Sequence, residues 1–347
     1  MDNNLITETE NTSEQIACIK CGSPQILAGY PNKLCADCRQ QLIKFPIPLW
    51  VKLFGAGIAL VMIISFIWLP GNLSAAIALS RAEKAEKSHD YITAQNELKK
   101  AQNNAPHAIE ILSHLTIAAF HNGDFKTVLE ASDKLQGKEI EDTALYNELN
   151  NVITQTNEYF PSDTFKTSFK KYKNLVIPDS AYRTYIKKNP MDIYTIVALA
   201  SSYSDNNDKY QNADTLLSKA IAIDRSYIPA LYLKTMIKRE LNQPDSSIYY
   251  CDQVLLINHQ STYALSSKAR TFLKVGKNKE GLLLAKQCYQ LDADMPYNLA
   301  TLALAYHFNK DFKQRDAILD SVKKDSTNAP YITYVKDIIS NKIKFQN

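Results

Sequence analysis

The chain has 347 residues, 45% of them hydrophobic and 22% charged, with nine glycines, thirteen prolines and a net charge of +4. This composition excludes a collagenous or low-complexity chain, and so small a net charge makes no case for nucleic acid by itself. Six cysteines do not form a disulfide framework, because four cluster near the N terminus and Cys251 and Cys288 stand alone in helical surroundings.

Residues 1–15 are polar, acidic and without period, and read as a disordered tail. Residues 16–45 then carry Cys18-Ile-Lys-Cys21-Gly22 and Leu34-Cys35-Ala-Asp-Cys38-Arg39. Two residues between cysteines let a tight turn aim both sulfurs at one ion. Four such sulfurs complete a tetrahedral structural zinc site with no open position for water. A redox dithiol pair and a pair of disulfides are the competing readings. The quoted residues resemble the zinc-ribbon and treble-clef families, with Cys18, Cys21 and Gly22 as the first knuckle. Tyr30-Pro-Asn-Lys33 turns into the second, and a short helix is expected from Cys38 to Phe45. The resemblance implies a zinc-held fold and no activity. Lys20, Lys33, Arg39 and Lys44 oppose only Asp37, a thin basic footprint that argues against a nucleic-acid partner.

Residues 47–70 read as a single transmembrane helix. Leu53 to Leu69 contains no charge, and Ser65 is its only polar side chain. At about 1.5 Å per residue it falls just short of a hydrocarbon core of about 30 Å, and extension back to Ile47 completes the span. Trp50 and Trp68 lie near the ends, where indoles favour the headgroups, and Pro70-Gly71 is expected to stop the helix. The alternative is a buried core helix, although no amphipathic period is visible. Lys33, Arg39, Lys44 and Lys52 before the span outnumber Arg81, Lys84 and Lys87 after it. Zinc thiolates also persist best in a reducing compartment. Both arguments put the N terminus in the cytoplasm and the remainder outside it, in the periplasm of a bacterium.

Beyond the span the pattern turns helical and repeats. Ala213, Ser247, Gly281 and Arg315 are spaced by 34 residues, as are Ala94 and Val128. Ala94, Leu98, Ala101 and Pro106 form one full signature, and Ala213, Leu217 and Ala220 repeat most of it. Leu299, Leu302, Ala303 and Tyr306 mark a matching first helix. These residues resemble the tetratricopeptide-repeat (TPR) family. The expected fold class is therefore all-α: a TPR-like α-solenoid over residues 75–326, following one transmembrane helix and a small zinc-ribbon-like module. Small residues let paired helices approach, and stacked neighbours bury the rest. Residues 137–178 depart from the consensus and read as an irregular unit. Asp179–Asn189 reads as a lone second helix, and residues 329–345 as a C-terminal capping helix. Gly281 and Arg315 replace the usual alanine, which leaves the packing there open.

The resemblance implies a partner-binding groove lined by first helices. Counting in register, it holds Tyr232, Met236 and Arg239, then Tyr263, Ser266, Arg270 and Lys274, then Tyr297, Leu304 and His307. Recurrent tyrosines beside cations suit an extended peptide or protein segment, and packing between helices is the competing role for the same tyrosines. The family's lysine–asparagine set for a C-terminal carboxylate is not found. His107, His114 and His121 are seven apart, too far along a helix to chelate one ion, and read as structural or surface residues. Cys251 and Cys288 read as buried thiols. No phosphate-binding loop, nucleophile elbow or zinc-protease motif is present. The sequence therefore leads to a membrane-anchored interaction scaffold with structural Zn2+, without catalysis or a small-molecule substrate. A regulatory protein whose zinc module binds nucleic acid or a cytoplasmic complex is the alternative.

Overall fold

A computed structural model describes residues 17–43, 47–173, 175–204, 207–322 and 329–346. The expected tail, residues 1–15, lies outside them, as does the end of the cysteine module at Lys44 and Phe45. The chain divides into two compact units, Met1–Leu69 and Pro70–Asn347.

In the first unit, helix α1 spans Ala36–Ile43 and starts two residues before the expected Cys38. Helix α2 is assigned over Leu49–Lys87, and its first part belongs to this unit. The helical assignment runs through Pro70 and Gly71, where the sequence led us to expect a stop. One missing N–H and one flexible residue cost helix stability but do not forbid it. By length and composition, α2 is the one described helix able to cross a membrane. Leu53, Phe54, Ile58, Leu60, Val61, Ile63, Ile64 and Phe66 are all exposed, so no apolar stripe turns inward over this stretch.

The second unit is an all-α, TPR-like solenoid. Within it, the end of α2 buries Ala75, Ala78, Ala82 and Ala85 along one face against Ala94, Leu98 and Ala101 of α3 (Tyr91–Asn104). There follow α4 (Ile109–His121), α5 (Phe125–Leu135), α6 (Thr143–Glu158), α7 (Asp163–Ser168) and α8 (Asp179–Lys188). Then come α9 (Ile193–Ser201), α10 (Tyr210–Ile223), α11 (Ile228–Glu240) and α12 (Pro244–Ile257). The array continues with α13 (Thr262–Lys274), α14 (Asn278–Leu291), α15 (Pro296–Phe308), α16 (Phe312–Val322) and α17 (Ala329–Ile339). The stretch 137–178 thus contains a full helix, α6, followed by the short α7. The C-terminal helix stops at Ile339, short of the expected Phe345. Phe345 still packs into the last core cluster, beside Ile332, Val335 and Ile338.

Local chemistry sets the helix starts. Asp124, Asp142, Ser162, Asp192 and Ser261 accept hydrogen bonds from first-turn N–H groups, and Pro229, Pro244 and Pro296 occupy first-turn positions that need no donor. The repeat positions follow from packing. Ala94, Ala101, Ala213, Ala220, Ser247, Cys251, Ala285 and Cys288 are fully buried between paired helices. First helices also pack on one another, α4 on α6, α11 on α13, and α13 on α15, forming a common face.

The solenoid also makes contacts that skip pairs. The Tyr227 hydroxyl donates to the Glu158 carbonyl at 2.9 Å, and the Tyr159 and Tyr227 rings lie 4.8 Å apart. The turn after α12 reaches the start of α3, 167 residues away in sequence.

Candidate functional site

The four N-terminal cysteines converge. Their sulfurs all lie within 4.8 Å of one another, and Cys21 Sγ and Cys35 Sγ are 3.5 Å apart. Gly22 makes the first knuckle possible. Its φ of +74° lies in the left-handed region, and its N–H donates to the Cys18 carbonyl at 2.8 Å. The Cys38 N–H points at Cys35 Sγ at 3.4 Å. The Leu27 N–H bonds the Leu34 carbonyl, and the Ile19 N–H bonds the Lys33 carbonyl, tying both knuckles together.

This donor set fits a metal ion. A backbone hydrogen bond from Cys35 holds Cys18 down at about 6, whereas hydrogen bonding to Cys21 pushes Cys38 up to about 12. A thiol with a lowered pKa beside one with a raised pKa is a proton-sharing arrangement, and a bound cation would favour the thiolate form of each. Cys18, Cys35 and Cys38 are buried, and all four are free thiols rather than disulfides.

Of the predicted groove residues, Tyr232, Tyr263 and Tyr297 come together on the common face of α11, α13 and α15, whereas Arg239, Ser266, Arg270 and Leu304 are buried. The Tyr232 and Tyr263 rings lie 4.2 Å apart, and Tyr263 stacks on Tyr297 at 5.0 Å with 15° between planes. Tyr331 of α17 extends this ladder edge-on at 6.3 Å. The three central tyrosines are half-buried, and Tyr331 is exposed. The arginines stand behind the rings. Arg239 and Arg270 are each 5% exposed, so neither is a free surface cation. Arg239 Nη1 donates to Ser267 Oγ at 3.1 Å, and Arg270 Nε to Thr301 Oγ1 at 2.8 Å. Arg270 also lies over the Tyr297 ring at 4.1 Å and near the Tyr334 ring at 5.7 Å. Lys274 Nζ and Arg239 Nε bond the two oxygens of Glu240 at 2.9 and 3.1 Å. Burial works against the Glu240 charge, but Arg239 and Lys274 hold its carboxyl below the usual range. Met236 is half-buried on the same helix, and Ser266 is fully buried and bonded to Asn298 at 2.8 Å. Leu304 is fully buried, and His307 pairs with Arg315 at 3.3 Å.

Sequence reasoning missed Glu240, Tyr331, Tyr334 and the buried hydroxyls. A signal was present: Thr235 and Ser267, Ser266 and Asn298, and Glu240 and Lys274 recur at 32, 32 and 34 residues and bond one another.

The remaining candidates are structural. His114 Nδ1 lies 2.7 Å from Glu86, which helps raise its pKa against the effect of burial. His121 stacks on Tyr91 at 4.0 Å, and burial lowers its pKa to about 4. Burial pushes the Cys251 and Cys288 thiols up to about 11.

No family model and no curated protein matches the chain. Solved structures do. A tetratricopeptide repeat protein from Parabacteroides merdae is 12% identical, with 78% of this chain and 100% of that one covered at a TM-score of 0.41. YrrB, described as a TPR protein with an unusual peptide-binding site, is 14% identical, with 59% and 97% covered at 0.35. Yeast Tom70 is 14% identical, with 77% and 66% covered at 0.38.

Proposed function

We propose that this chain is a single-pass, membrane-anchored, non-enzymatic interaction scaffold. Its solenoid takes an extended peptide or protein segment along the face of α11, α13 and α15. The observation that carries this reading is the ladder Tyr232–Tyr263–Tyr297. Stacked, half-buried rings, with the buried Arg270 behind Tyr297, offer a rigid apolar platform. Such a platform loses little entropy when a partner binds. Arg270 backs the Tyr297 ring, Arg239 ties α11 to α13 through Ser267, and the tyrosines make the contact.

Cys18, Cys21, Cys35 and Cys38 would hold one structural zinc ion, which supplies folding free energy to a module too small for its own core. The apolar part of α2 spans the bilayer, with the zinc module cytoplasmic and the repeats extracytoplasmic. The direct test is partner capture from cells expressing the full-length protein, by crosslinking before detergent extraction. The double variant Tyr263→Ala, Tyr297→Ala should lose the crosslinked partner while keeping its helicity. Unchanged capture would show that the partner binds elsewhere.

A further inference from the structure

The helix ends of the first repeats are completed by a turn far away in the chain. Asp90, at the N-cap of α3, makes no side-chain cap. The Thr93 N–H in that first turn instead donates to Gln260 Oε1 at 2.8 Å, and Gln260 Nε2 donates back to Thr93 Oγ1 at 2.9 Å. At the other end of the pair, Asn258 Nδ2 donates to the His121 carbonyl at 3.0 Å and to Asn122 Oδ1 at 2.9 Å. The His259 N–H donates to the His89 carbonyl at 2.9 Å, and His89 Nδ1 lies 2.9 Å from the Leu256 carbonyl. Helix ends leave backbone donors and acceptors without partners, and here three consecutive residues of one turn supply them from 136 to 170 residues away.

We propose that Asn258, His259 and Gln260 form a clasp that closes the solenoid on itself and opens as a unit. The contacts of Gln260 and His89 are solvent-exposed, so water competes for them. The repeats on either side are held by buried helix–helix cores. Asn258 is buried, but a polar seam that is exposed at the contacts of Gln260 and His89, lying between two apolar cores, is the weakest join and opens before either core does.

Closure also shapes the partner face. Behind the clasp lies a cavity of about 840 Å³, lined from one side by Ile92, Gln95 and Asn122 and from the other by Tyr232, Tyr263 and Met295. Ser261, next to the clasp, has its Oγ 2.8 Å from the Tyr232 hydroxyl. Opening the clasp therefore releases the Tyr232–Tyr263 end of the ladder. The gating of a partner rests on the function proposed above, whereas the clasp itself does not.

Amide hydrogen exchange on the full-length protein in detergent micelles tests the clasp without any partner. In the unaltered chain, the Thr93 and His259 amides should exchange more slowly than unstructured amides and faster than those inside α13 and α15. In Asn258→Ala, Gln260→Ala, protection at both should fall at least tenfold, with α13 and α15 unchanged. Gln260→Ala alone should release Thr93 more than His259, a milder change that keeps the test usable if the double variant folds poorly. A tyrosine-reactive triazoledione probe should modify Tyr263 several-fold faster in the double variant. The clasp is refuted if Thr93 and His259 keep their protection, or lose it only together with α13 and α15. Unchanged labelling of Tyr263 beside lost amide protection would refute the gating.

Discussion

Gly281 of α14 sits directly against Leu273 of α13. A Cβ built on Gly281 would lie 2.7 Å from both Cγ and Cδ2 of Leu273 and 3.1 Å from the Ala269 carbonyl oxygen. Leu273 is fully buried and has no room to swing away. The glycine at this repeat position is therefore the packing solution, because α13 and α14 approach more closely than an alanine permits. Gly281→Ala gains up to about 1 kcal/mol of helix propensity. Overpacking costs about 1–3 kcal/mol. Thermal melting of the repeats should show net destabilisation, and a raised melting temperature would mean the helices can separate freely.

The buried Lys234–Asp214 pair predicts an asymmetry. Lys234 Nζ is 2.8 Å from Asp214 Oδ1 and is 1% exposed, while Lys238 holds the other carboxylate oxygen at 3.0 Å. Burial already pulls the Lys234 pKa down. Asp214→Ala leaves an ammonium without a counter-charge and should cost about 3–5 kcal/mol in urea unfolding. Lys234→Met removes the buried charge and leaves Asp214 with Lys238, so it should cost far less. Equal losses would mean the pair does not act through charge burial.

His121 predicts an acid-side loss of stability. Its pKa is lowered to about 4 by burial, from 6.5. A depressed value means the unfolded chain takes up the proton first. The contribution is complete above about pH 6.5 and is lost as pH falls towards 4, amounting to about 3 kcal/mol at about 1.4 kcal/mol per unit. His114 works in the opposite sense. Its pKa is raised, so its contribution is present below pH 6.5 and fades as pH rises through its folded value. The variant His121→Phe keeps a ring against Tyr91 and should flatten the fall in melting temperature between pH 6.5 and 4. An unchanged profile would assign that fall to other groups.

The four-cysteine module should depend on metal. Purified full-length protein should carry about one zinc per chain, and Cys21→Ser should weaken its retention. Chelation should expose all four thiols to a thiol reagent, while the helical signal of the repeats persists. Four thiols that stay unreactive after chelation, or no zinc in protein purified without chelator, would remove the structural-zinc reading.

The anchor is tested by topology. A phosphatase fused after Gln346 through a flexible linker should be active in a bacterial host, and a cytoplasmic fluorescent reporter at the same place should be dark. The reverse pattern would invert the orientation.

Features that depend on nearby residues could be read from the sequence. The cysteine pairs, the turn at Gly22 and the 34-residue register are short-range, and the sulfurs and small buried residues lie where that spacing puts them. Register placed Tyr232, Tyr263 and Tyr297 at recurring positions, whereas the stacking of their rings could be seen only in the structure. Contacts that skip pairs could not be read. Nothing near Asn258 signals a bond to His121, and no local rule places Tyr159 against Tyr227. Residue type also misled at the arginines. A cation in a groove register suggests a ligand contact, yet hydroxyls on the next first helix draw Arg239 and Arg270 inward. Pro70-Gly71 looked like a stop because propensity is local, and the helical assignment passes through it.

The central claim is that partners bind the tyrosine face of α11, α13 and α15. A photo-crosslinking residue in place of Tyr263 in the full-length protein tests it most directly, with Tyr249 of α12, which is 56% exposed, as the comparison site. The account predicts a discrete adduct from position 263, with one partner segment identified by mass spectrometry, and none from position 249. Adducts from 249 alone, or equally from both, would contradict it.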